Sequence, residues 1–337
     1  MNPDIPSLQK ALLDPHIYPD LPRSIQFIET HISLLFLTGH YVYKVKKPVN
    51  FCFLDFTTLD KRKHFCEEEV RLNRRLSPNI YLGIVEITQN KGEILWEGSG
   101  EVVEYAVKMK QIPEDLLMDK LLEKGQVHAN MIEAVADKLV DFYSTAVTND
   151  FINSFARPER VKQDTDENFD QTGKYRGVTL PENVHRDIQN RTNEFFRSKQ
   201  EIFYQRIASG RIRDCHGDLR LEHIFWGKEI SIFDCIEFNE RFRYTDVAAD
   251  LAFLDMDLDY HERGDLSGHL IDSYIEKSGD TTLKEVLDFY KCYRAYVRGK
   301  VESFRLDDPN IPEQEKKEAQ KRAQQYFNLA YRYSQRF

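Results

Sequence analysis

The stretch DCHGDLRLEHIFWGKEISIFDCIEF, residues 214–238, constrains this chain more than any other. Residues 223–226 and 229–233 are rich in β-branched and aromatic side chains and flank Gly227-Lys228, a pattern that predicts a two-stranded hairpin. His223 stands five residues after Asp218 and opens the first strand; Asp234 stands sixteen residues after Asp218 and follows the second. Antiparallel pairing brings the start of one strand beside the end of the other. His223 and Asp234 are therefore expected to face one site, with Asp218 one loop away. A carboxylate placed to take a proton, next to two donors placed to hold a cation, suits metal-assisted group transfer.

The chain before this stretch reads differently from the chain around it. Residues 24–29, 32–38 and 41–47 (SIQFIE, ISLLFLT, YVYKVKK) read as an antiparallel meander, with turns at Thr30-His31 and Gly39-His40. A loop over 48–57 leads to a helix over 59–76, with Thr57 or Thr58 as its N-cap and Pro78 beyond its end. Strands over 83–88 and 102–108 follow. After Pro113 helical periodicity takes over, at 115–123, 128–148, 182–206, 283–301 and 312–337, the last with Ala319, Ala323, Phe327 and Ala330 on one face. The organisation predicted is an N-terminal arm (1–22), a β-rich lobe with one helix (23–111) and a larger, mainly helical lobe (112–337) with the hairpin embedded in it. The fold class is α+β.

The 214–238 segment resembles the H-G-D-L-x-x-x-N-I motif of the aminoglycoside phosphotransferase and choline kinase-like family. The string Asp246-Val-Ala-Ala-Asp250-Leu-Ala resembles that family's D-P-x-x-D-L-A signature. The resemblance covers about residues 28–306 and is strongest to bacterial aminoglycoside phosphotransferase-family proteins in which a kinase-like half is often fused to a P-loop ATPase half. No G-x-x-x-x-G-K-[ST] occurs here, so that second half is not expected. The resemblance implies a two-lobed, protein-kinase-like fold. It also implies an enzyme that transfers the γ-phosphoryl group of ATP or GTP to a hydroxyl of a small molecule. Asp218 is then the catalytic base, with His216 in the same loop, Asp234 is a metal ligand, and Asp250 braces the loop. The family has asparagine where this chain has His223. Imidazole is a poorer ligand than a carbonyl oxygen for Mg²⁺ and suits softer ions, so His223 either shifts preference toward Mn²⁺ or only supports the loop while Asp234 holds the metal.

Such a site needs a cation on the nucleotide phosphates, held by a helix glutamate. Lys44 and Lys46 share one face of the YVYKVKK strand by period-two alternation; Lys44 is the first choice and Lys46 the alternative. On the following helix Glu68 lies in line with Leu72 and Leu76 and is the chosen partner, with Glu67 and Glu69 as alternatives. No G-x-G-x-x-G is present, so Thr30 and Ser33 in the first turn are expected to offer hydroxyl and N–H groups to phosphate. Met109-Lys110-Gln111 is the expected hinge, with adenine against the backbone of Met109 and Gln111.

The acceptor side is less determined. Glu237 and Asp246 are acidic candidates for acceptor binding or for bracing the loop, and Arg294 and Arg298 are i,i+4 neighbours on one helix. With Arg220, Arg241 and Arg243 they form either a cluster for an anionic acceptor or a set of structural ion pairs with nearby aspartates. Net charge is −9, which argues against a general nucleic-acid binder. No apolar run reaches the ~18 residues of a membrane helix. Five scattered cysteines without a C-x-x-C, and no secretory leader, lead to the expectation of a reduced, cytoplasmic setting. Two other readings are compatible with the motifs: a nucleotide-binding pseudokinase with a regulatory role, and a metal-dependent hydrolase built on His216, Asp218, His223 and Asp234.

Overall fold

The computed structural model describes residues 4–51 and 53–337. They form two compact units: residues up to Gly125 together with Glu222–Glu240, and Gln126–Leu221 together with Arg241–Phe337. By packing, the hairpin segment therefore groups with the sheet, whereas the sequence reading embeds it in the helical part.

The first unit is built on a six-stranded antiparallel sheet: β1 (Gln26–Glu29), β2 (Ser33–Leu37), β3 (Tyr41–Lys46), β4 (Tyr81–Asn90), β5 (Glu93–Trp96) and β6 (Glu101–Lys110), in the order β1-β2-β3-β6-β4-β5. The short β5 is absent from the sequence reading. It pairs with β4 through a two-residue turn in which Lys91 (φ 50°) and Gly92 (φ 91°) are both left-handed, the geometry that matches strand twist.

Both sheet faces are covered. The N-terminal arm is folded, as a helix (Ile5–Leu12) and a 3₁₀ turn (Pro15–Ile17), and sets Leu8, Leu12 and Tyr18 against Leu34, Phe36, Tyr43, Ile87 and Trp96. The other face carries the helix Leu59–Asn73, capped by Thr58, which accepts from Lys61 N at 3.2 Å. Cys66 and Val70 of that helix pack with Tyr81, Tyr105 and Val107 of the sheet and with Phe225 and Phe233 of the hairpin. The hairpin itself, β7 (Ile224–Trp226) and β8 (Ile230–Ile232), pairs in the register Ile224↔Ile232.

The second unit is helical, with Ala129–Thr145, Pro158–Gln171, Glu182–Ala208, Val247–Tyr260, Gly264–Ser278, Leu283–Phe304 and Glu313–Ser334 as its principal helices. The last two run close together. Ala319, Ala323, Phe327 and Ala330 are fully buried, and a Cβ on Gly299 would come within 2.8 Å of the Phe327 ring, so only glycine admits this approach. Two short strands, Ile212–Asp214 and Tyr244–Asp246, pair with Tyr244 opposite Asp214 and lead into the segment that starts at Cys215.

A buried arginine joins three parts of this unit. Arg206, fully buried, donates to Asp246 Oδ1 at 2.7 Å and to both oxygens of Asp280 at 2.9 Å. Asp246 also caps Val247–Tyr260 by accepting from Ala248 N at 2.8 Å, so it is a scaffold residue and not part of an acceptor pocket. Cys66, Cys215, Cys235 and Cys292 are buried free thiols, and among the described residues no helix is long and apolar enough to cross a membrane. Arg206→Ala, which strands two buried carboxylates, is expected to lower unfolding stability by about 3–5 kcal/mol in urea titration.

Candidate functional site

In the first unit, five charged side chains converge. Period-two alternation puts Lys44 and Lys46 of β3 on the sheet face that meets Leu59–Asn73, and both reach the same carboxylate: Lys44 Nζ lies 2.8 Å from Glu69 Oε1 and Lys46 Nζ 2.6 Å from Glu69 Oε2. Lys44 Nζ also lies 3.1 Å from Asp234 Oδ1, and Lys46 forms a short hydrogen bond to Glu237. Burial pulls the Lys44 ammonium down, but the Asp234 and Glu69 carboxylates more than reverse this and hold it well above its ordinary value. Burial likewise raises Glu69, and Lys44 and Lys46 together bring it below the usual carboxylate range.

The helix partner is Glu69, not Glu68. Glu68 turns to the rim, where Arg71 grips it through Nε at 2.8 Å and Nη2 at 2.7 Å. The buried face of the helix runs through Arg62, Cys66, Glu69, Val70, Leu72 and Asn73. Three of these are polar and buried because each is paired, Arg62 with Glu104 at 2.8 Å for instance. Leu72 borders this face, and Glu68, one position or ~100° from Glu69 around the helix, falls outside it.

Asp234 itself sits in the left-handed region (φ 61°). Its N–H donates to Tyr81 Oη at 3.2 Å, the next N–H, on Cys235, donates to Asn73 Oδ1 at 2.8 Å, and Ser77 Oγ donates to Ile232 O at 2.7 Å. The helix and its C-terminal turn thus hold the segment on both sides of Asp234. His223 Nε2 is 3.7 Å from Asp234 Oδ2, so the hairpin does bring the two residues to one place.

The other nucleotide-side expectations fare unevenly. Thr30, exposed on the β1–β2 turn, accepts from Ser33 N at 2.9 Å, and Ser33 is 1% exposed, so the Ser33 hydroxyl is not presented outward. Met109 and Lys110 remain in the β6 ladder, opposite Val42 and Tyr41, and Gln111 is tied back to the β2–β3 turn: its N–H donates to His40 O and its Oε1 accepts from Gly39 N, both at 2.9 Å.

In the second unit the loop 216–221 is held by its backbone. Asp250, fully buried, accepts from His216 N at 2.9 Å, Gly217 N at 2.8 Å and Tyr143 Oη at 2.9 Å. Gly217 takes φ 92°, which glycine allows without strain. His216 is fully buried and its Nδ1 accepts from Asp218 N at 3.3 Å, an internal strut of the loop. Asp218 is gripped by Arg220 through two 3.0 Å hydrogen bonds. Asp257 accepts from Leu221 N at 2.9 Å.

The arginines resolve as structural. Arg241 pairs with Asp164 at 2.7 Å and with Glu167, Arg243 with Asp214, and Arg298 with Glu302 at 3.5 Å. Arg294 donates to Ala249 O at 3.0 Å and stacks on Phe253. Glu237 belongs to the lysine cluster and not to an acceptor pocket. Among the described residues no group of three or more His, Cys, Asp or Glu side chains is assembled to hold a metal.

These elements match known architectures. The chain is similar to choline kinase from Cryptosporidium parvum Iowa II, with a TM-score of 0.55 at 12% identity over 98% of this chain and 96% of that one. It is also similar to a choline/ethanolamine kinase family protein from Mesorhizobium loti, with a TM-score of 0.51 at 12% identity over 98% and 100%. The chain thus has a choline kinase-like fold: a sheet unit with one central helix, and a helical unit. In sequence it is 33% identical over 294 residues to uncharacterised proteins of Mycobacterium tuberculosis and Mycobacterium bovis. That match covers 87% of this chain but 57% of theirs, so the chain spans little more than half the length of these curated relatives. No family model matches it.

The corrected pairing has a direct consequence. Glu69→Ala leaves two buried ammonium groups short of a partner and is expected to cost about 3–5 kcal/mol in denaturant unfolding, whereas Glu68→Ala stays within about 0.5 kcal/mol of wild type.

Proposed function

We propose that this chain is a phosphotransferase that moves the γ-phosphoryl group of ATP to a hydroxyl of a small molecule. The observation that carries the reading is the exposure gradient of the lysine cluster. Lys44 and Lys46 meet the carboxylates of Glu69, Asp234 and Glu237, and Asp234 is 46% exposed against 1% for Glu69 and 5% for Glu237, so Asp234 is the carboxylate of the cluster that a ligand can reach. Lys44, beside it and anchored by Glu69, is a cation for nucleotide phosphate. The sheet unit with Glu222–Glu240 is the nucleotide half, and the helical unit carries the acceptor half.

Asp234 and His223 would hold the Mg²⁺. One carboxylate and an adjacent imidazole are too few donors for a closed metal site, and this fits Mg²⁺, which keeps waters and takes phosphate oxygens for the rest of its shell. Bound there, the ion would neutralise charge on the phosphates. Asp218 would orient the acceptor hydroxyl and take its proton. Arg220 bridges that carboxylate, so Asp218 is preset in one orientation before the acceptor arrives.

A regulatory, non-transferring nucleotide binder is the second reading, and His223 in place of asparagine is the observation that favours it. A thermal-shift panel of nucleotides with Mg²⁺ or Mn²⁺, followed by phosphate transfer to a metabolite library, separates the two. Under the first reading Asp218→Ala keeps the nucleotide-induced shift and loses about 10²–10⁴ of turnover, Lys44→Met loses the shift, and His223→Asn moves metal preference from Mn²⁺ toward Mg²⁺. Wild-type protein that binds no nucleotide with either ion rules out both.

A further inference from the structure

The helix Val247–Tyr260 does more than end the second unit's strand pair. Asp250, Phe253 and Asp257 lie at i, i+3 and i+7, so the three side chains fall on one helix face, with Asp250 and Asp257 about 10 Å apart along the axis. The loop runs along this face in order. Asp250 takes His216 N and Gly217 N, Arg220 lies over the Phe253 ring (5.9 Å to its centroid), and Asp257 takes Leu221 N at 2.9 Å. All three template residues are buried: Asp250 is 0% exposed, Phe253 3% and Asp257 6%. Between the two clamps stands Asp218, its two oxygens held by Arg220 at 3.0 Å each.

We infer that Asp257 is a second positioning residue for the reaction: with Asp250 it suspends the loop 216–221 at both ends, and Phe253 and Arg220 transmit that placement to the Asp218 carboxylate. Two clamps matter because a peptide loop held at one end keeps its soft dihedrals free beyond the clamp. A carboxylate set by a single upstream contact would sample several orientations, and a misplacement of an ångström is enough to cost orders of magnitude in a group-transfer step. The second clamp also explains why a charged group is kept in a nearly dry place. Burial pushes the Asp257 carboxyl up, and the Leu221 N–H and the neighbouring Arg220 oppose this. Replacement by a hydrophobic residue of similar size would leave Leu221 N without its acceptor.

The inference rests on the phosphotransferase reading, and its test has one arm that does not. In wild type, Asp257→Asn and Asp257→Ala, amide hydrogen exchange is followed at Gly217 and Leu221, alongside kcat, KM and nucleotide affinity. Asparagine keeps an oxygen for Leu221 N, whereas alanine does not. Expected for Asp257→Ala is exchange at least ten-fold faster at both amides, kcat lower by about 30-fold or more, and nucleotide affinity within two-fold of wild type. Asp257→Asn is expected to recover most of both losses. Faster exchange at Leu221 alone, with Gly217 unchanged, overturns the two-clamp suspension whether or not the protein transfers phosphate. Faster exchange at both amides with unaltered kcat overturns the positioning role. Absence of turnover in wild type sinks the phosphotransferase reading and with it Asp257's part in a reaction, while the exchange arm still decides whether the loop is suspended as one body. A uniform drop in stability, nucleotide affinity and kcat that Asp257→Asn does not recover marks Asp257 as merely structural. Phe253→Leu, which removes the ring beneath Arg220 but keeps a buried apolar side chain, is expected to lower kcat without changing exchange at Leu221.

Discussion

Glu69 is shared between two lysines, and the first unit is organised by that sharing. An ion taken out of water costs several kcal/mol unless its partners are placed with good geometry. Lys46 is wholly buried and Lys44 nearly so, and they stand two residues apart on β3, which points both at the same helix. A single carboxylate with two oxygens can serve both only if the helix is phased to bring it between them. That requirement sets the rotation of Leu59–Asn73, and the rotation in turn places Asn73 to receive Cys235 N. The Lys46 ammonium takes Glu237 as its second partner, three residues past Asp234. The segment after the hairpin is thus held by its charge and by its backbone, and Asp234 is carried between the two holds.

The second unit solves a related problem with carboxylates acting on backbone rather than on ammonium. A loop that must keep a reactive side chain in one place cannot pair its own N–H groups in a ladder, yet buried N–H groups need acceptors. Asp250 supplies both its oxygens to consecutive amides, and Asp257 supplies one to the far end. Arg206 holds Asp246 at the start of the same helix, so the helix that acts as template is itself fixed at its N-terminus by a buried bidentate contact.

Much of this was legible in the residues, and the parts that were not share a cause. The hairpin and its flanking acids stood out because turn chemistry and spacing are local properties. Lys44 and Lys46 on one strand face followed from alternation. Glu69 ranks only as an alternative to Glu68 in the sequence, because Leu72 and Leu76 mark one border of the buried face while its centre is lined by paired Arg62, Glu69 and Asn73. Hydrophobic periodicity cannot register a polar residue whose burial depends on a partner more than twenty residues away. Helix Pro158–Gln171 was missed for the same reason: its buried residues include Thr165 and Asn168, and its sequence reads as a charged surface. For the arginines, the sequence leaves an anion cluster and structural ion pairs both open, and the ion pairs are what the structure shows. Arg241 and Arg243 could not be paired from the sequence because their acids, Asp164 and Asp214, are brought to them by folding, whereas Glu302 lies one turn from Arg298 on the same helix.

The gradient of exposure along the lysine cluster separates groups that set geometry from the group that can meet a ligand. Lys46, Glu237 and Glu69 are dry, so their mutual attraction is screened little and their positions are fixed. Asp234 is wet on one side and anchored on the other. Its left-handed backbone costs of order 1–3 kcal/mol, and such strain persists only where the surroundings over-determine it. Here Tyr81 receives its N–H, Asn73 receives the next one, and Lys44 holds one carboxylate oxygen. The second oxygen faces His223 at 3.7 Å, longer than a hydrogen bond. The Asp234 carboxylate is thus held at its backbone and at one oxygen, with an imidazole beside the other.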